Sequence, residues 1–161
     1  MGEGVGDLNI KAECRLLIQT CNIEDCTYYR TTPTACSNCN ISIPSNAEIS
    51  YTMKHIGNNG ICIQLQDSSH TYFIGNWASS YANGVLIRNT GSSSNLVDKR
   101  VSDIPSSTEV DISVSYDNGN WVYSANGENI SFTANYTPTK ISVIENNKGN
   151  SYMKDLKVKP L

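Results

Sequence analysis

AEISYTMKHIGNNGICIQLQDSSHTYFIGNW, residues 47–77, decides the fold. Ile49, Tyr51 and Met53 alternate with Ser50, Thr52 and Lys54. A period of two is the mark of a strand with one covered face. His55-Ile56-Gly57-Asn58-Asn59-Gly60 breaks the pattern with residues that tolerate positive φ. Ile61, Ile63 and Leu65 then share one phase, with Cys62, Gln64 and Gln66 on the other. After the polar turn Asp67-Ser68-Ser69-His70 comes Thr71-Tyr72-Phe73-Ile74, rich in aromatic and β-branched residues. Short turns join neighbouring strands antiparallel. The stretch therefore predicts a three-stranded meander with one apolar face, which other strands must cover.

The flanks continue in the same style. Downstream, Val85-Leu86-Ile87 reads as a strand and residues 89–95 as a Gly/Ser-rich loop. Val110, Ile112, Val114 and Tyr116 alternate with Asp111, Ser113 and Ser115. Asn118-Gly119 and Asn126-Gly127 supply the positive φ of tight hairpin turns. Ile130 with Phe132, Ile141-Ser142-Val143 and residues 152–159 mark the last strands, with a bulge expected near Lys154. Ile49, Tyr51, Met53, Ile61, Ile63, Leu65, Val110, Ile112 and Val114 are the expected core. No segment carries the pattern of an amphipathic helix. Many short strands separated by turn residues predict an all-β, antiparallel two-sheet β-sandwich.

The 161 residues suit one domain, expected over 8–161 after a flexible leader at 1–7. A net charge of −3 with no basic stripe argues against a nucleic-acid partner. No apolar run is long enough to span a bilayer, so membrane insertion is not expected. Residues 20–40 differ from the rest: TCNIEDCTYYRTTPTACSNCN holds four of the six cysteines and little apolar content. This N-terminal cysteine-rich segment is expected to be an irregular excursion or weak edge strands. Asn40-Ile41-Ser42, Asn129-Ile130-Ser131 and Asn135-Tyr136-Thr137 fit the glycosylation acceptor pattern. In a chain rich in Asn, Ser and Thr such matches arise by chance and carry no weight alone.

From about residue 41 to the end, the order of features resembles the concanavalin A-like lectin/glucanase (laminin G-like) jelly rolls. Residues 49–54, 61–65, 84–87 and 110–114 carry the resemblance, with the Asp117-Asn118-Gly119 and Asn126-Gly127 turns and the closing run at 152–158. The resemblance implies a jelly roll of the kind found in adhesins and in viral tail or surface proteins. It implies no catalytic signature. Some enzymes of this superfold carry Glu-x-Asp-x-x-Glu on a strand, since glycoside hydrolysis needs two carboxyl groups about the bond. Glu109 and Asp111 match, but Val114 stands where the third acid should be. His55 and His70, both in turn regions, sit in no nucleophile motif and read as surface residues.

Cys21, Cys26, Cys36 and Cys39 are expected to lie close together, as two disulfides or as ligands of one structural zinc. Either would staple a segment too polar to hold itself. The resemblance leaves calcium open, but Asp67, Asp98, Asp103 and Asp117 read as turn residues and the sequence has no compact Asp/Asn loop of the EF-hand kind. No cofactor is required. Tyr72, Asn76, Trp77, Tyr81 and Asn83 cluster at a strand end and the following loop. A flat aromatic face with nearby amides is the chemistry of sugar recognition. Tyr72 and Trp77 also suit a core, and Trp121 with Tyr123 suit one better. The expectation is a non-enzymatic recognition module for glycan or a cell-surface partner, within a larger extracellular or virion-surface protein, with homo-oligomers through the parent protein as a further expectation. An assembly domain of a viral tail or shell, and a glycoside hydrolase with acids from distant strands, are the alternatives.

Overall fold

The computed structural model describes residues 28–29, 41–55, 61–77, 82–145 and 152–161, with side chains at 43–55, 63–76, 83–141 and 157–161. The strands in chain order are β1 (Tyr28–Tyr29), β2 (Ile41–Ser42), β3 (Ala47–Lys54), β4 (Ile61–Gln66), β5 (His70–Trp77) and β6 (Ala82–Asn89). They continue with β7 (Asn95–Arg100), β8 (Val110–Asp117), β9 (Asn120–Ala125), β10 (Glu128–Thr133), β11 (Lys140–Glu145) and β12 (Tyr152–Pro160). Among the described residues there is no helix. One sheet runs β1-β12-β3-β8-β9-β10 and the other β2-β11-β4-β5-β6-β7. Every neighbouring pair is antiparallel. The leader and the cysteine cluster at Cys21, Cys26, Cys36 and Cys39 lie outside the described residues.

Alternation builds the interior. β3 buries Ala47, Ile49, Tyr51 and Met53, and β8 buries Val110, Ile112, Val114 and Tyr116. Ile63, Leu65, Tyr72, Ile74, Val85, Ile87 and Ile141 close over them from the other sheet. The expected core is therefore interior wherever side chains are described; that of Ile61 is not. Trp121 is the hub of the core, stacked on Tyr72 of the facing sheet at 5.9 Å and on Phe132 at 5.8 Å. Buried aromatics with polar tips need partners. Trp121 Nε1 donates to Ala134 O, Tyr51 OH to Ile74 O and Tyr116 OH to Pro44 O.

The two Asn-Gly turns form as expected. Asn118 and Gly119 have φ of 52° and 85°, and Asn126 and Gly127 have 52° and 81°, the left-handed pairs a two-residue hairpin requires. The register of β12 against β3 shifts between Lys154 and Lys157, so the irregularity near Lys154 is present. Two segments depart from expectation. Residues 82–84, read as loop, belong to β6. Asn95, read as loop, and residues 96–100, unassigned from sequence, form β7. β7 lies on a sheet edge and half-buries Val97 alone, so its apolar signal is nearly absent. Asp98 accordingly sits in a strand and not in a turn.

Candidate functional site

The structure divides the expected ligand-binding residues. Tyr72 is wholly buried and Asn76 and Asn83 are 1% exposed, so these three stand inside the sandwich, not on the surface where a ligand-binding role needs them. The reason is alternation: Tyr72, Ile74 and Asn76 share the inward phase of β5, and Asn83, Val85 and Ile87 that of β6. The side chain of Trp77 and the whole of Tyr81 lie outside the described residues. Asn76 and Asn83 are cross-strand partners. Asn83 Nδ2 donates to Ser102 O (2.7 Å) and Asn83 Oδ1 accepts from Tyr123 OH (2.5 Å). Asn76 Nδ2 is buried without a partner among the described residues.

The histidines also differ from expectation. His55 is fully buried, with Nε2 2.7 Å from Ile104 O, because β3 carries its inward phase one residue past its end. His70 is half-buried, its ring 4.8 Å from Tyr136 and its Nδ1 2.9 Å from Asp67 Oδ1. Asp67 also accepts from the backbone of Ser69 and His70 and from Tyr72 OH at 2.6 Å. Partial burial pushes the Asp67 carboxyl up, but the hydrogen bonds of Tyr72, Ser69 and His70 together outweigh it, and the net direction is down. Burial and the neighbouring carboxylate push the Tyr72 phenol up, so it stays protonated as a donor. The arrangement locks the β4–β5 turn onto the core.

Two outward faces carry polar side chains. On the sheet of β3, β8 and β9, a depression of about 410 Å³ is lined by Ser50, Thr52, Asp111, Ser113, Ser124 and Lys157 among others. Thr52 Oγ1 donates to Asp111 at 2.6 Å. Val114 is buried, so the Glu109-x-Asp111 pattern runs into the core where a third acid would stand.

The other face belongs to β5, β6 and β7, and its residues form one chain of contacts. The Arg88 guanidinium lies 5.6 Å from the centre of the Phe73 ring. Arg88 Nε donates to Asn95 Oδ1 (2.7 Å), and Asn95 Nδ2 donates to Asp98 Oδ2 (3.2 Å). Arg100 grips Asp98 with two bonds, at 2.7 and 3.1 Å. Thr71 and Thr90 hydroxyls meet beside this chain at 3.2 Å. An exposed ion pair such as Arg100–Asp98 adds only about 0–1 kcal/mol to stability. What the network supplies is fixed orientation of donors and acceptors, and charge that blunts the β7 edge. As site residues, Arg88, Asn95, Asp98 and Arg100 escaped the sequence reading, which took Asp98 for a turn residue and Asn95 for part of a loop. Their one signal was Asp98 and Arg100 two apart, which counts only once the segment is known to be a strand. Among the described residues no group of three or more His, Cys, Asp or Glu is placed to hold a metal, and no helix is long and apolar enough to cross a membrane.

No protein-family profile and no curated protein sequence matches the chain. Solved structures do. Galectin LEC-6 of Caenorhabditis elegans is similar with a TM-score of 0.55 and 12% identity, over 82% of this chain and 94% of that one. The carbohydrate-binding module CBM66 of Bacillus subtilis gives 0.58 and 7%, over 71% and 75%. The VIP36 exoplasmic/lumenal domain gives 0.53 and 13%, over 76% and 72%. At such identities the likeness concerns the fold. The chain has the concanavalin A-like lectin jelly-roll fold.

Proposed function

We propose that this chain is a glycan-binding module without catalytic activity, and that it binds on the outward face of β5, β6 and β7. The observation that carries the reading is the tethered chain Phe73–Arg88–Asn95–Asp98–Arg100. Sugar hydroxyls need donors and acceptors already held in place, because ordering loose side chains on binding costs affinity. Residues 78–81 follow β5 and precede β6 in the chain. Trp77 and Tyr81 are the proposed stacking platform. The proteins with this fold support the reading: CBM66 is a carbohydrate-binding module, and VIP36 was solved bound to Ca2+ and Man3GlcNAc. The absence of an acid at Val114 supports a non-enzymatic role. The surroundings we propose are extracellular or a virion surface, within a larger protein. A glycan array probed with the purified chain tests the reading. Selective, saturable binding supports it; an empty array favours the alternative of an assembly domain.

A further inference from the structure

Of the acceptor tripeptides, two lie among residues with described side chains, and the fold treats them differently. Asn129-Ile130-Ser131 is inside β10, paired throughout with β9. Asn129 stands opposite Ser124, whose hydroxyl donates to Asn129 Oδ1 at 2.5 Å. Its carboxamide is engaged, and its backbone is held extended in a ladder. Asn135-Tyr136-Thr137 lies in the irregular crossover of residues 134–139, between β10 in one sheet and β11 in the other. Asn135 and Thr137 are both exposed, and neither side chain makes a hydrogen bond among the described residues. Tyr136 between them is half-buried beside the core and meets His70 edge-on, which turns its two neighbours to the outside. Asn135 Oδ1 is 3.4 Å from where a Cβ on Gly119 would stand, so it lies by the β8–β9 turn.

We infer that Asn135 is an N-glycosylation acceptor in the folded chain and that Asn129 is not. The transfer needs a lipid-pyrophosphate-linked oligosaccharide. A bond forms between Asn135 Nδ2 and the donor's anomeric carbon. The bond from that carbon to the phosphate oxygen breaks, the lipid pyrophosphate leaves with the electron pair, and one Nδ2 proton passes to a base of the transferase. The hydroxyl of Thr137 is the second half of the acceptor pattern. A bulky solubilising group there would stand two residues beyond the end of β10, the strand at the open edge of its sheet.

The test uses the folded full-length chain carrying Asn40→Gln, which removes the third tripeptide. It is incubated with a single-subunit oligosaccharyltransferase and a lipid-linked oligosaccharide, and occupancy is read by peptide mass spectrometry. The expected result is a mass increase of one glycan on the Asn135 peptide and none on the Asn129 peptide. Thr137→Ala should abolish it with circular dichroism unchanged. A bare Asn135, or Asn129 occupied as fully as Asn135, overturns the inference.

Discussion

Tyr123 of one sheet donates its phenolic hydrogen to Asn83 Oδ1 of the other, at 2.5 Å in the middle of the sandwich. The bond fixes the β6–β9 approach, and Asn83 extends it to Ser102 through its Nδ2. Its cross-strand neighbour Asn76 has an amide nitrogen with no partner among the described residues. Removing one partner of a buried bond leaves the other unsatisfied, at a cost of about 1–3 kcal/mol. Asn83→Leu removes both of these bonds from the interior and should cost at least about 2 kcal/mol. Asn76→Leu removes the amide nitrogen that has no partner among the described residues and should cost less than Asn83→Leu. Urea unfolding of both variants checks the contrast; equal losses would refute it.

Acid should unfold the domain partly through Asp67. Its carboxyl titrates below the unfolded value, because hydrogen bonds favour the charged form more than burial opposes it. Its contribution is therefore fully present above the unfolded pKa and is lost as pH falls through the lower, folded one. Asp67→Asn should flatten the stability-versus-pH curve on that acid limb and cost roughly 1–3 kcal/mol at neutral pH. Denaturant midpoints measured from neutral pH downward test this. An acid limb unchanged in the variant would show that other carboxylates govern it.

Gly84 is the point where β7 presses closest on β6. A Cβ there would stand 1.9 Å from Lys99 O and 2.8 Å from Arg100 Cα, both backbone. Gly84→Ala must separate the two strands, so it should cost roughly 1–3 kcal/mol or more and misplace Arg100 and Asp98. Thermal unfolding and binding should fall together. Retained stability would mean that the edge strand yields freely.

The loop expectation is tested by Trp77→Ala and Tyr81→Ala. A Trp stacked on a ligand is typically a hot spot, so truncation should weaken binding by about 2 kcal/mol or more. Affinity of each folded variant for an array-identified glycan is the measurement. Unchanged affinity in both removes the loop from the site.

The sandwich was legible wherever one face of a strand is covered and the other wet, as in β3 and β8. The hairpins were legible because Asn118-Gly119 and Asn126-Gly127 serve a single backbone need. β7 was hidden because an exposed edge strand has little apolar content to alternate. The polar face was hidden with it, since Arg88 meets Asn95 only through strand pairing. Asn76 and Asn83 misled in the opposite sense. Polar residues next to a loop suggest surface, yet their phase in β5 and β6 is set by Ile74 and Val85 and points inward. Burial of His55 shows the same rule, one residue past a strand end.

The most direct measurement is calorimetric titration of an array-identified glycan into the wild type, Arg88→Ala, Asp98→Ala and Asp111→Ala, each shown to be folded. A lost charged hydrogen bond is worth about 1.5–3 kcal/mol, roughly a tenfold or greater loss of affinity. The account predicts that loss in Arg88→Ala and Asp98→Ala and wild-type affinity in Asp111→Ala. Full affinity in the first two with loss in the third would place binding on the opposite sheet and contradict it.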